Sequence, residues 1–264
     1  MPVQDAFRPF HMPGQDIPLG TVSQSIAVVL TARGMVEDCK ASGNLVLPDA
    51  PVTDTLEAIR EILFAEGMIG PPRHEEMAVR LTAEGEVHGT VDRSVVRALG
   101  LWITKVHVNG LVHLGDGGTE IWLSRRARHA AWNPDRFDTM VAGGVAASQS
   151  VTGAVRAESW EEAGLTSDAL TGLRGPRRMT VQYVSERGLH RELLVIHDLG
   201  LDPDFVPQCQ DGEIAWAQRF DLDSMSRLLA IPSEMKFSSA LVCRDLLARL
   251  PALGLPETSE ITPL

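Results

Sequence analysis

The chain has 264 residues, 44% of them apolar, and a formal net charge of −11. That is enough apolar side chain for one large core or two small ones, and the acidic balance disfavours nonspecific binding to polyanions such as nucleic-acid backbones. No run has the apolar length needed to span a bilayer, and the N-terminal MPVQDAFRPFHMPGQDIPLG lacks the basic start and apolar stretch of a signal peptide, so a cytoplasmic setting is expected. Cys39, Cys209 and Cys243 are far apart and without metal-ligand spacing, which predicts buried free thiols.

Pro2, Pro9, Pro13, Gly14 and Pro18 predict an extended arm over the first 20 residues. Ser23 to Thr31 suits either a buried helix or a strand. A helix is predicted with Asp54 as N-cap and Glu57 at N3, running through Leu56, Ile59, Ile62 and Leu63 to Gly67. Short strands are predicted over Met77 to Leu81 and Glu86 to Val91, followed by a short helix over Arg93 to Leu99 stopped by Gly100. Residues 1–100 carry no chemical motif, and a lid or platform is their expected role.

From Trp102 the pattern turns to strands, at Ile103 to Val108 and Glu120 to Ser124, around a turn region at Gly110 to Gly118. Arg125, Arg126, Arg128 and His129 follow, then a loop with Trp132; this basic patch is either solvated surface or a diphosphate contact, and Trp132 either packing or a stacking surface. Farther on, Arg174, Arg177 and Arg178 precede paired strands at Met179 to Val184 and Glu192 to His197. Asp211-Gly212-Glu213 leads into a strand at Ile214 to Phe220. Helices over Asp223 to Leu229 and Ser238 to Leu250 and a loose tail from Pro251 complete the chain. Mixed strands with central and peripheral helices argue for α/β or α+β layering.

The chemistry concentrates in Ala142 to Leu165, AGGVAASQSVTGAVRAESWEEAGL. Ser150 is a good N-cap after the Gly143-Gly144 loop, Gly164-Leu165 a good stop, and Ala154, Val155 and Trp160 an apolar flank. Glu158, Glu161 and Glu162 stand at i, i+3 and i+4, so one helix face carries three carboxylates. They repel one another unless the face is merely solvated or holds a hard cation.

This stretch resembles the Nudix box: G, five residues, E, seven residues, then R-E-U-x-E-E-x-G-U with U aliphatic. Gly143, Glu158, Glu161, Glu162, Gly164 and Leu165 match it. Gln149 replaces the first Glu, Ala157 the Arg and Ser159 the aliphatic residue. VHVNG (106–110), LSRRA (123–127), FDTMVAGG (137–144), DGEIAWAQRF (211–220) and KFSSALVCRDLLAR (236–249) are similar to the bacterial and plant branch related to the extra domain of fungal thiamin pyrophosphokinases.

The resemblance implies an α-β-α sandwich around a mixed sheet over 101–250, with an α+β extension over 1–100 and a tail over 251–264. It implies Mg²⁺ or Mn²⁺ on Glu158, Glu161, Glu162 and a carbonyl of the Gly143 loop. Glu213 is then a fourth carboxylate or general base, and Arg125, Arg126, Arg178 and Trp132 are substrate contacts. The expected activity is hydrolysis of an organic diphosphate, with a thiamin-type diphosphate as the specific expectation. A nucleoside diphosphate derivative, and a binding or regulatory protein that has lost catalysis at Gln149 and Ala157, are the alternatives. The expected partner is the small-molecule diphosphate, with no nucleic acid or membrane and with a homodimer left open.

Overall fold

The computed structural model describes residues 7–115, 117–130 and 132–250, so the expected tail lies outside the described residues. The chain divides into two compact units. The first runs up to Thr104 and adds Val145–Gln149 and Thr180–Leu193; the second comprises Lys105–Gly144, Ser150–Met179 and the chain from Leu194 onward.

In the first unit β1 (Phe7–His11) pairs antiparallel with β2 (Gly20–Ser23) and parallel with β4 (Asn44–Val46), whose other edge takes β3 (Glu37–Cys39). Where it is described, from Phe7 onward, the proline-rich start therefore contributes strands to a sheet instead of remaining an arm without regular structure. Phe10 is buried, and its carbonyl accepts the Leu19 N–H at 2.9 Å, which turns the intervening prolines into a loop. Ser23 caps α1 (Gln24–Ala32) through Ile26 N–H, with Ile26, Ala27 and Leu30 buried, so this segment resolves as helix.

Helix α2 (Val52–Ala65) begins ahead of the expected cap, because the Pro51 carbonyl already accepts the Thr55 N–H. Glu57 turns instead to Arg60, Oε1 to Nε 2.9 Å. Strands β5 (Glu76–Val79) and β6 (Gly89–Asp92) form an antiparallel pair. The expected helix over Arg93 to Leu99 is a chain of single turns. Asp92 causes this by gathering the N–H groups of Arg73, His74 and Ser94, and Gly100, at φ +55°, ends the segment.

A seven-stranded sheet carries the candidate site, with β11 (Arg174–Ser185), β12 (Gly188–Leu201), β7 (Trp102–His113), β8 (Thr119–Arg126) and β13 (Ile214–Asp221) in that order. Strand β7 continues to His113, through the first part of the turn region expected at Gly110 to Gly118. The Asn109 amide is spent on Asp198 at 2.8 Å, and a Cβ at Gly110 would meet Met140 Sδ, so both residues are fixed inside the sheet. The turn comes later, where Leu114 N–H meets the Gly118 carbonyl.

Strands β7 and β8 pair only over Gly110 to His113 and Thr119 to Trp122, then part. Strand β10 (Val141–Gly144) fills the opening along Lys105 to Val108 of β7, and β9 (Phe137–Thr139) along Leu123 to Arg125 of β8. Helix α3 (Val151–Ala163) packs on β10. Helices α4 (Leu222–Leu229) and α5 (Phe237–Arg249) share a core with Ile121, Leu123 and Phe137. The architecture is of the α+β class. Cys243 is buried, whereas Cys39 and Cys209 are half-buried and all three are free thiols. No helix among the described residues is long and apolar enough to cross a membrane.

Candidate active site

Helix α3 is bounded as its sequence predicts. The Ser150 hydroxyl accepts the Gly153 N–H at 3.0 Å, and Gly164, at φ +68°, closes the last turn by donating to the Trp160 carbonyl at 2.9 Å. The apolar flank is narrower than expected. Trp160 is exposed, and the buried face is Ala154, Val155, Ser159, Glu162 and Ala163.

Two of the three carboxylates are set against β10. Glu162 is 3% exposed, and its Oε2 accepts the Ala142 N–H at 2.7 Å. Glu158 lies so close to Gly143 that a Cβ there would fall 1.8 Å from the Glu158 carboxyl carbon, so only glycine lets this acid reach the strand. Glu161 points outward, where Gln210 N–H bonds its carbonyl at 2.6 Å and docks the Asp211–Glu213 loop beside it. Burial, with Asp211 and Glu213 nearby, pushes the Glu161 carboxyl up.

Glu213 therefore joins the carboxylate face from another element. Its Oε2 accepts from Arg126 Nη2 at 3.2 Å. Arg126 is buried at the end of β8, donates from Nε to the Trp132 carbonyl at 3.0 Å and stands 3.6 Å from Asp138. Burial works against its charge, but Asp138, Glu162 and Glu213 together raise its pKa. Arg125 is held by Asp135 and Glu234, each at 3.0 Å, with its guanidinium 4.6 Å above the Phe137 ring. Arg178 lies exposed on edge strand β11, with β12 and β7 between it and β10.

Three residues outside the expected set complete the arrangement. Asp138 on β9 is 1% exposed and accepts from Lys236 Nζ at 2.8 Å and from the Ser239 hydroxyl. Burial would raise its pKa, yet Lys236, Arg126 and His107 hold it at about 2. Glu162 shows the opposite balance: burial, Asp138 and Glu158 push it well up, against the Ala142 N–H and Lys236. The site thus gathers four carboxyl groups, Glu158, Glu161, Glu162 and Glu213, with Arg126 and Lys236 behind it.

Comparison with known proteins decides what kind of fold presents these groups. The model of the NUDIX domain family matches residues 104–241. The chain belongs to that family. It is 29% identical over 202 residues to Nudix hydrolase 24, chloroplastic, of Arabidopsis thaliana, covering 75% of this chain and 54% of the relative. It is 27% identical over 197 residues to Nudix hydrolase 20, chloroplastic, of the same plant, covering 75% and 52%. The chain spans about half the length of the curated relatives it matches. The crystal structure of DR0079 from Deinococcus radiodurans shares the fold with a TM-score of 0.50 at 19% identity, over 65% of this chain and 98% of that one.

The departures from the Nudix box now have places. Ala157 is half-buried on α3, and the neighbouring Arg156 is exposed. The Gln149 side-chain oxygen accepts the Ala146 N–H at 3.4 Å. Ser159 is fully buried, and its hydroxyl has no hydrogen-bond partner among the described residues. An unmet buried hydroxyl costs stability, so Ser159→Ala is expected to stabilise the protein by about 1 kcal/mol. A urea unfolding midpoint that falls instead of rising contradicts this.

Proposed function

We propose that this Nudix protein is a divalent-metal-dependent hydrolase that cleaves the diphosphate link of a small organic diphosphate. The observation that carries the reading is the packing of Glu158 and Glu162 on Gly143 and Ala142, which turns an acidic helix face into a built site. The donor chemistry suits Mg²⁺ or Mn²⁺: three carboxyl groups and the Gly143 carbonyl offer hard oxygen ligands, and a cation would favour the ionised form of Glu162 that burial, Asp138 and Glu158 disfavour. Among the described residues no three His, Cys, Asp or Glu side chains come together in an arrangement that could hold a metal ion, so the carboxyl groups must turn toward a cation as it binds. An open site suits a cation that keeps waters and shares ligands with substrate phosphates. When bound, the metal supplies charge neutralisation and a more acidic water.

The protein's own groups supply the rest. Glu213, oriented by Arg126, takes the proton of the attacking water as general base. The Arg125–Arg126–Arg128 segment gives the diphosphate its electropositive side, with Arg128 at 89% side-chain exposure the most open of the three. Arg125 contacts phosphate only by releasing Asp135 or Glu234, and Arg178, with β12 and β7 between it and β10, stands apart from this set. Trp132 offers an apolar wall for a ring system. The specific substrate of this reading is a thiamin-type diphosphate, cleaved to its monophosphate and inorganic phosphate. A cytoplasmic setting and a single small-molecule partner go with it. Ala157 and Gln149 favour a second reading, a Nudix fold that binds the diphosphate without turnover.

Phosphate release from a panel of diphosphates, with wild type and Trp132→Ala, tests the substrate. Trp132→Ala is expected to raise KM roughly tenfold for a thiamin-type diphosphate and to leave a diphosphate without rings within about twofold. Much faster cleavage of a nucleoside diphosphate sugar, with no discrimination by Trp132→Ala, contradicts the thiamin assignment. Binding of the diphosphate with no phosphate released from any of the panel favours the second reading.

A further inference from the structure

The box position that carries a basic residue in the resembling pattern is Ala157 here, and a helix turns about 100° per residue, so the exposed Arg156 points elsewhere. The carboxylate face is nonetheless backed by two buried cations. Arg126 and Lys236 are 7% and 6% exposed, against 3% for Glu162 and 1% for Asp138, so two buried acids are matched by two buried bases. Burying a charge without such a partner is costly, and each cation has an acid as its partner. Lys236 meets Asp138 at 2.8 Å; Arg126 meets Glu213 at 3.2 Å and approaches Asp138 at 3.6 Å.

We propose that Arg126 and Lys236 are the positioning residues of this site, holding Glu213 and Asp138 against the carboxylate face where Ala157 offers no charge. Both come from outside the box, one from the end of β8 and one from the residue before α5. The inference rests on the metal-hydrolase reading and removes Arg126 from the list of substrate contacts. Asp138 is the link: it accepts from Lys236 Nζ at 2.8 Å and stands 3.6 Å from Arg126, so it shares both cations. Residues 157 and 161 stand at i and i+4, so a cation at 157 would face Glu161 along the helix. Arg126 and Lys236 act from the strand side instead.

Calorimetric titration of Mn²⁺ and steady-state hydrolysis of a diphosphate, on Arg126→Gln with and without Ala157→Arg, test the inference. Arg126→Gln is expected to weaken Mn²⁺ binding roughly tenfold or more and to lower kcat by a similar factor, with KM within about twofold. Ala157→Arg in that background is expected to restore Mn²⁺ affinity to within about threefold, and in the wild-type background to change it less than about twofold. Arg126→Lys, which keeps the charge, is expected to fall between.

By charge alone, removing a cation tightens binding of a dication, so a gain in Mn²⁺ affinity overturns the proposal. So does a rise in KM with kcat and Mn²⁺ affinity unchanged, which marks a substrate contact. Should Arg126→Gln melt below the assay temperature, Asp138→Asn/Lys236→Met keeps the net charge and is expected to show the same loss of Mn²⁺ affinity. Unchanged affinity there overturns the proposal too. A wild type that gives no heat with Mn²⁺ refutes the metal-hydrolase reading and this inference with it, whereas wild-type binding that the variants leave intact refutes this inference alone.

Discussion

Lys236→Met is expected to destabilise the protein by about 3–5 kcal/mol, because it leaves the Asp138 carboxylate buried without its ammonium partner. Asp138→Asn/Lys236→Met removes both charges and is expected to cost less than about 2 kcal/mol, since no uncompensated ion remains. The pair also sets a pH dependence. Asp138 is held at about 2, below its ordinary value, so its contribution is present above the ordinary carboxylate range and is lost as the pH falls toward 2. Wild type is therefore expected to lose on the order of 2 kcal/mol between about pH 5 and about pH 2 that the double variant does not lose. Urea unfolding across that range checks both points. Parallel curves, or a single variant no less stable than the double, contradict them.

Glu162→Gln is expected to weaken Mn²⁺ binding by about a hundredfold or more and to reduce turnover at least as much, because it removes a charged ligand from the centre of the site. The same change is expected to make the metal-free protein more stable at neutral pH. Burial, Asp138 and Glu158 raise the Glu162 pKa, so the folded protein holds that proton more tightly than the unfolded chain. Stability then falls as the pH rises through the ordinary carboxylate range toward the raised value, and a neutral amide escapes the loss. Equal Mn²⁺ heats in the two proteins, or a variant less stable than metal-free wild type at neutral pH, contradict this account.

Much of the helix that carries these acids is legible in the sequence. Ser150 and Gly164 act through their own backbone neighbourhoods, so cap and stop follow from local chemistry, and the i, i+3, i+4 spacing puts three glutamates on one face. The second layer is not legible that way. Asp138 and Lys236 are separated by 98 residues and meet only because the sheet splits and α5 begins beside it, so neither FDT nor KFSS advertises a buried ion pair. Gly110 misleads for a related reason: it opens the expected turn region, but Met140 packed on it and the neighbouring Asn109 amide hydrogen-bonded to Asp198 keep it inside the strand. Arg93 to Leu99 has helical spacing but loses its start to Asp92, whose carboxylate draws in backbone N–H groups from two segments. Arg126 is visible as one of several arginines, yet nothing in RRARH separates the buried one from the exposed ones.

The central claim, that this carboxylate face is a metal-dependent diphosphatase site, is tested most directly by inorganic phosphate release from an organic diphosphate with Mg²⁺ and with chelator, in wild type and Glu162→Gln. The account predicts release by wild type that the chelator abolishes and added Mg²⁺ restores, and a loss of about a hundredfold or more in Glu162→Gln at every Mg²⁺ concentration. Release that persists in chelator, or that Glu162→Gln leaves at the wild-type rate, contradicts it.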